Sequence, residues 1–215
     1  MEKLAPDLWR FTARHPDWHP RGFGDEVAGF ALRDEDGLFL IDPLVSDPDD
    51  LEALDALAND NPVTIFITIP YHARSAAELA QRWDDVQVLS HPATQRKLPA
   101  GTPFQPIEPG QPLPHGAIAF KIGSPRRQEL PIYLPRARAL AFGDAVVGVD
   151  SGLRVWIWAD TSERWYEDRF RPTLEPLTQL DIDRVLVTHG PSVMSDGPRE
   201  LGKALAAGPW SPRKS

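Results

Sequence analysis

The sequence predicts a layered α/β domain, and three observations lead to this fold class. Short apolar runs typical of strands come first, strands and helices then alternate, and the alternation returns after a second group of strands. The runs 63–69 and 184–188 are rich in β-branched apolar residues, which is typical of strands buried on both faces. This order of elements favours helices layered on sheets over an all-β architecture.

The first predicted elements are a hairpin and a helix. The apolar runs 27–32 and 38–41 flank residues 34–37, which end in Asp-Gly, a turn signal of hairpins. Asp47 followed by Pro48 predicts the start of a helix, because Asp caps helix N-termini and Pro suits the first helical position.

Alternating elements follow the first buried strand. Ser75 and Glu78 have the spacing of a capping box and predict the start of a helix. Residues 86–89 predict the next strand, and Pro92 predicts the start of a short helix. The Pro-rich residues 99–116 are interpreted as a surface crossover rather than a domain boundary, because the strands on either side resemble parts of one sheet.

The C-terminal half repeats the order of strands and then helices. Four apolar runs predict strands before the last buried strand: 117–122, 130–134, 139–142 and 155–158. Residues 162–177 have apolar side chains four apart and predict a helix, which Pro172 should bend or split. Residues 198–207 predict the last helix.

Composition narrows the possible functions. The chain has 215 residues, 23 basic and 31 acidic side chains, a net charge of −8 and no cysteine. Disulfides and cysteine nucleophiles are therefore excluded, and the charge argues against nucleic acid and acidic membrane surfaces as partners. No apolar run approaches the roughly 18 residues of a membrane helix, and the N-terminus has no signal-peptide pattern, so a cytoplasmic location is expected.

Polar side chains follow five of the predicted strands. They are Asp42, His72, His91, Asp144 and His189. Because ligands of open α/β sheets bind beyond the carboxyl ends of the strands, these side chains are expected to converge at one edge. A cluster of His and Asp suits a divalent metal such as zinc, iron or manganese.

Three ordered segments carry a resemblance to a known family: Ile41-Asp42, Ala141-Phe142-Gly143-Asp144 and Leu186-Val187-Thr188-His189-Gly190-Pro191. In this order and spacing the chain resembles the metallo-β-lactamase fold superfamily over most of its length. The resemblance implies a four-layer αββα sandwich that forms a single domain over residues 1–215. It also implies that Asp42 orders the turn after its strand by hydrogen bonding.

The sequence departs from that family at the metal site. Members carry a His-x-His-x-Asp-His signature, but residues 70–75 read Pro-Tyr-His-Ala-Arg-Ser, so that only His72 remains and Arg74 replaces the Asp. The loop at 123–127, which corresponds to a further ligand, contains no His. Of the seven ligands that the resemblance implies, three are left: His72, Asp144 and His189.

Two functions follow from this incomplete set. The first is a protein without binuclear zinc hydrolase activity, which binds a small anionic ligand or a partner through Arg74 and Arg126. The alternative is a mononuclear metal-dependent hydrolase in which His72, Asp144 and His189 hold one ion, with Asp144 and His189 as catalytic residues. Three protein ligands with an open position are a workable catalytic arrangement. The oligomeric state is left open.

Several of these residues also have a purely structural interpretation. Arg74 is expected to point into the site and pair with Asp144, replacing a metal, although it could also face solvent. His91 either lines the pocket or caps the helix that begins at Pro92. Arg126, together with Arg127, either binds an anionic group or is solvated.

Four residues lie outside the predicted cluster. His15, Trp18 and His19 belong to an early loop that could overhang the site, or that could be an ordinary loop with a packed Trp. His115 lies in the Pro-rich connection and is expected at the surface.

Overall fold

The fold contains three β-sheets; the largest packs face to face with a four-stranded sheet, and helices cover the outer faces. The computed structural model describes residues 1–16, 18, 24–158 and 161–210. The α/β class and the four-layer αββα sandwich predicted from the sequence are confirmed. His19 lies outside the described residues.

The first sheet has seven strands that neighbour one another in chain order. They are β1 (Glu2–Ala5), β2 (Leu8–Arg14), β3 (Glu26–Asp34), β4 (Gly37–Ile41), β5 (Val63–Ile67), β6 (Val86–Ser90) and β7 (Phe104–Pro106). The strands β1 to β4 pair antiparallel, and β4 to β7 pair parallel. The predicted hairpin is β3–β4, which closes with Asp34 opposite Gly37.

The second half of the chain supplies two smaller sheets. A four-stranded sheet has the order β13-β10-β9-β8, and a three-stranded sheet has the order β11-β12-β14. Their strands are β8 (Ile118–Ala119), β9 (Ile132–Leu134), β10 (Ala139–Phe142), β11 (Val146–Val149), β12 (Gly152–Trp156), β13 (Arg184–Val187) and β14 (Pro209–Trp210). The central pair β10–β13 is parallel, which brings their carboxyl ends to the same edge.

The helices are mostly short. They are α1 (Pro48–Ala58), α2 (Ala76–Leu79), α3 (Glu163–Trp165), α4 (Arg171–Leu174) and α5 (Gly197–Ala206). A π-helix, Tyr166–Phe170, joins α3 to α4. The backbone N–H of Arg171 consequently bonds five residues back, and the predicted long helix changes type beside Pro172, which cannot donate a backbone hydrogen bond.

Apolar side chains fill three layers of core. Phe30 and Phe39 of the first sheet meet Leu186 of the second sheet in the layer between the sheets. Leu54 of α1 packs on the outer face of the first sheet, and Leu201 of α5 packs on the outer face of the second. None of the helices in the described ranges has the length and apolar character needed to cross a membrane.

Local capping is confirmed at one helix and wrong at another. The side chain of Asp47 accepts a hydrogen bond from Asp49 N at 3.0 Å, as predicted for a cap. Ser75 makes no capping bond, because its hydroxyl instead accepts from Val45 N at 3.2 Å, and α2 has only four residues. The predicted capping box is therefore incorrect: a contact to a distant loop replaces the local one.

The predicted surface position of His115 is also wrong. This residue is 2% exposed, and its Nδ1 lies 2.6 Å from Asp34 Oδ1. The Pro-rich connection contributes both β7 and this buried side chain, so that part of it belongs to the sandwich.

Candidate functional site

Four of the five polar side chains at strand ends meet at one edge of the sandwich. Asp42 follows β4, His72 lies in the 3-10 helix Pro70–His72 after β5, Asp144 follows β10, and His189 follows β13. The site therefore draws two residues from the seven-stranded sheet and two from the four-stranded sheet, at the edge where the strand-end rule places ligand sites.

The donor atoms of His72, Asp144 and His189 lie within 4.8 Å of one another. Asp144 Oδ1 is 3.2 Å from His72 Nε2 and 3.3 Å from His189 Nε2. This oxygen is buried, and both distances are longer than the 2.7–2.9 Å of a well-formed charge-assisted hydrogen bond. Ligand atoms around a tetrahedral zinc ion at about 2.0–2.1 Å are separated by about 3.3 Å, so this donor set fits one divalent ion.

Asp42 fixes the orientation of His72. Its buried carboxylate accepts hydrogen bonds from Thr68 N at 2.7 Å and from His72 Nδ1 at 2.8 Å. Because Nδ1 is held by Asp42, Nε2 of the same ring faces Asp144. Metal-binding histidines commonly donate their second ring N–H to a carboxylate in this way.

The carboxylates dominate the electrostatics of the cluster. Burial and the neighbouring Arg74 lower the pKa of His72, but Asp42 and Asp144 outweigh both and raise it to about 9. Burial would raise the pKa of Asp144, yet the two histidines hold it well below its usual value. Without a metal, His72 is therefore expected to carry a proton at neutral pH, and a metal ion must displace that proton.

Arg74 does not form the predicted pair with Asp144. Its Nη1 donates to the backbone oxygen of Asp42 at 3.4 Å. Its Nε and Nη2 are buried and have no acceptor in the described part of the chain. The pairing is wrong because the two imidazoles occupy the space beside Asp144 Oδ1. Arg74 remains near enough to influence His72, whose pKa it lowers.

Glu129 is a site residue that sequence reasoning missed. Its carboxylate is 1% exposed, and Oε1 accepts hydrogen bonds from Gly143 N at 3.1 Å and Ala145 N at 3.0 Å. These two amides flank Asp144, so Glu129 fixes the backbone that carries it. A carboxylate just before an apolar strand was the only signal in the sequence, and it is equally typical of a solvated turn.

A buried arginine balances Glu129. Arg127 Nη1 lies 3.4 Å from Glu129 Oε2, and the guanidinium carbon lies 4.6–5.5 Å from the ring centroids of Phe170, Trp158 and Trp156. Burial raises the pKa of Glu129 to about 7, although Arg127 opposes this shift. Such aromatic faces stabilise a cation. The loop that in the resembled family supplies a ligand thus supplies an internal ion pair here.

Two predicted ligand-binding residues lie apart from this cluster. Arg126 is exposed and stands over the ring of Trp165, with the guanidinium carbon 5.7 Å from the ring centroid. His91 precedes the 3-10 helix Pro92–Lys97, and its Nδ1 accepts from Ala93 N at 3.1 Å. His91 therefore caps a helix, which was the second of its two interpretations, and the role of Arg126 stays a prediction.

A second group of potential ligands lies at the β3–β4 turn. Asp34, Asp36 and His115 bring three donor atoms within 4.8 Å of one another. Arg136 already bridges this group, with Nη1 2.8 Å from Asp34 Oδ2 and 2.9 Å from Asp36 Oδ2. The arginine supplies the positive charge there.

Two clefts border the histidine and aspartate cluster. A cleft of about 750 Å³ reaches His189 and is rimmed by Glu2, Arg10 and Glu26. A smaller cleft of about 440 Å³ is lined by Arg74 and by Tyr71 and Ala73, the neighbours of His72. Both volumes are typical of small-molecule sites.

Solved structures with the same fold support this description. A metallo-beta-lactamase family protein from Thermus thermophilus is 18% identical, with a TM-score of 0.64 over 95% of this chain and 80% of that one. A metallo-beta-lactamase from Pontibacter korlensis is 17% identical, with a TM-score of 0.66 over 95% and 97%. One from Pseudomonas aeruginosa in its mono-zinc form is 16% identical, with a TM-score of 0.66 over 96% and 92%.

These likenesses establish the fold. No protein-family model matches the sequence, and no curated protein matches it. The chain has the metallo-β-lactamase fold, with a group of His and Asp side chains that could hold a metal ion.

Proposed function

We propose that this chain is a mononuclear metal-dependent hydrolase that acts on a small anionic molecule. His72, Asp144 and His189 hold the one ion, which is zinc, iron or manganese. The observation that carries the proposal is the position of Asp144 Oδ1, which is buried and lies 3.2–3.3 Å from two imidazole Nε2 atoms. Neighbouring ligand atoms of one tetrahedral zinc ion, each about 2.0–2.1 Å from it, have this spacing.

Each residue of the site has a role that its contacts support. A divalent ion on these ligands would polarise a carbonyl or phosphoryl oxygen and lower the pKa of a bound water. Asp42 holds His72 by Nδ1 and leaves Nε2 as the donor atom. Glu129 holds the backbone on both sides of Asp144. Arg74 supplies a fixed positive charge for an anionic substrate.

A second candidate function is metal-free binding of an anionic molecule or partner. It is favoured by the pKa of about 9 for His72, since a protonated His72 and Arg74 together balance Asp42 and Asp144 without any metal. In this case the site binds but does not activate water.

Metal content separates the two candidates. The protein is purified without chelator or added metal, analysed for zinc, iron and manganese, and then titrated with zinc. We expect at most one equivalent, and we expect His189→Ala to lose it while the matched control His91→Ala keeps it. Two tightly held ions per chain would overturn the mononuclear proposal, and a wild-type protein that takes up no metal would support the metal-free candidate.

A further inference from the structure

We propose that the cleft bounded by Arg74 is the subsite for a carboxylate or phosphate group of the ligand. The inference deepens the proposed function, on which it rests for the position of the reacting group. Arg74 lines the 440 Å³ cleft, and its Nη1 donates to the backbone oxygen of Asp42, whose carboxylate holds His72. An anion in this cleft would therefore be placed beside the candidate metal ligands.

The unmatched donors of Arg74 define the chemistry of that group. Nε and Nη2 form one edge of the guanidinium; both are buried and lack an acceptor in the described chain, so that the side chain must turn this edge toward the cleft to bind a ligand. Their N–H groups run parallel, and this edge matches the two oxygens of a carboxylate or phosphate. A buried donor without an acceptor is unfavourable, so an anion on this edge gains two charge-assisted hydrogen bonds and displaces no protein partner.

The backbone of Arg74 also departs from its preferred conformation. Its φ of 31° lies in the left-handed region, which is unfavourable for a residue with a Cβ atom. The side-chain hydrogen bond that Arg74 makes within the described residues, from Nη1 to Asp42 O, is long, at 3.4 Å. Outliers of this kind cluster at ligand-binding sites, where function rather than stability accounts for them.

Other lining residues of the cleft complement an anionic ligand with a flat body. Tyr71 is 69% exposed, and Lys97 Nζ lies 4.9 Å from the centroid of its ring. Lys97 adds a second positive charge facing the cleft, whereas Glu78 is the one acidic side chain among the described lining residues. A planar group can stack on Tyr71 while its charged end reaches Arg74.

Binding of simple probes to the purified protein tests the subsite. Phenyl phosphate and benzoate are titrated calorimetrically, with benzamide as the neutral counterpart of benzoate, in the presence of chelator and again with one equivalent of zinc. We expect the anions to bind in both conditions and benzamide to bind at least tenfold more weakly, because it lacks the charge. The stronger of the two anions identifies the preferred group.

Variants of Arg74 separate the effect of its two parallel N–H groups from the effect of its positive charge. Arg74→Gln should weaken anion binding by about tenfold or more, and Arg74→Lys should recover only part of it, because Lys lacks the parallel edge. Lys97→Gln should weaken binding by a few-fold, whereas the neighbouring control Arg96→Gln should not. Equal binding of benzoate by wild type and Arg74→Gln, or equal binding of benzoate and benzamide, would overturn the subsite.

The test remains decisive if an Arg74 variant fails to fold, because Tyr71→Ala and Lys97→Gln alter exposed side chains. If neither change weakens phenyl phosphate binding relative to Arg96→Gln, the ligand does not use this cleft. The proposed function can fail separately. Anion binding without any metal uptake would refute the metal site and leave the anion subsite supported. Metal uptake without anion binding would refute the subsite and leave the metal site supported.

Discussion

Removing the proton from His72 should destabilise the metal-free protein as the pH rises. The carboxylates of Asp42 and Asp144 raise the folded-state pKa of this 3% exposed imidazole from 6.5 to about 9, against the effects of burial and Arg74. A group whose pKa is raised by folding contributes stability below its unfolded value, and that contribution is lost as the pH passes through the folded value. The relevant window is therefore pH 6.5 to 9.

The size of the effect follows from the shift. At about 1.4 kcal/mol per pKa unit, a shift of about 2.5 units corresponds to about 3 kcal/mol in the free energy of unfolding. Glu129, with its pKa raised to about 7 by burial, loses its contribution mainly below this window. With a urea m-value of about 2–3 kcal/mol per molar, the midpoint should fall by about 1 M between pH 7 and pH 9.

The measurement is urea unfolding in chelator at pH 7, 8 and 9. His72→Gln should flatten the dependence, since it removes the titrating group. His91→Gln should leave the dependence intact, because burial and Lys121 hold the pKa of His91 below 6.5 and outside the window. One equivalent of zinc should also suppress the slope, since a metal-bound Nε2 carries no proton. An equal slope in wild type and His72→Gln would refute the assignment.

Three further predictions concern the same edge of the sandwich. Glu129→Ala should lower the unfolding free energy by about 3–5 kcal/mol in thermal melts, because it leaves Arg127 buried without its partner and the amides of Gly143 and Ala145 without their acceptor. It should also weaken zinc binding in titrations, whereas Glu78→Ala, at an exposed position, should change neither. Gly143→Ala should lower the free energy of unfolding, measured with denaturant, by about 1–3 kcal/mol, because a Cβ atom there would lie 2.4 Å from Thr68 Oγ1. As a control, Gly202→Ala should raise it by about 0.5–1 kcal/mol, because Gly202 is helical and has open space around it. Zinc added at pH 8 should release about one proton per ion, detected with a pH indicator, and no release would show that His72 was not protonated.

The sequence predicts the framework of the site well, because that framework depends on strand ends. Asp42, His72, Asp144 and His189 each follow an apolar run, and the parallel pairs β4–β5 and β10–β13 carry them to the same edge. His91 also follows a strand, but its Nδ1 is already used by a backbone amide. A position directly after a strand therefore indicates that a residue lies near the site, and its local hydrogen bonds decide whether its side chain faces the site.

The errors have a common physical cause, since each depends on contacts between residues far apart in the chain. Ser75 matches a capping pattern but bonds to Val45, thirty residues earlier. Arg74 was expected to reach Asp144, but the two imidazoles already occupy that oxygen. Glu129 escaped notice because its partners are the backbone amides beside Asp144, which no local pattern reveals.

Because the site is divided between two sheets, a metal ion or ligand bound there would also hold the two halves of the chain together. The halves of the chain before and after the Pro-rich connection are joined near the site by backbone bonds, from Ala28 N to Thr188 O and from Leu130 N to Thr68 O, both 2.8 Å. A ligand that touches His72 and His189 at once acts as a removable cross-link between those halves. Two fragments produced by cutting the connection should therefore reassociate more tightly when the occupant is present, since its binding energy adds to that of the shared core.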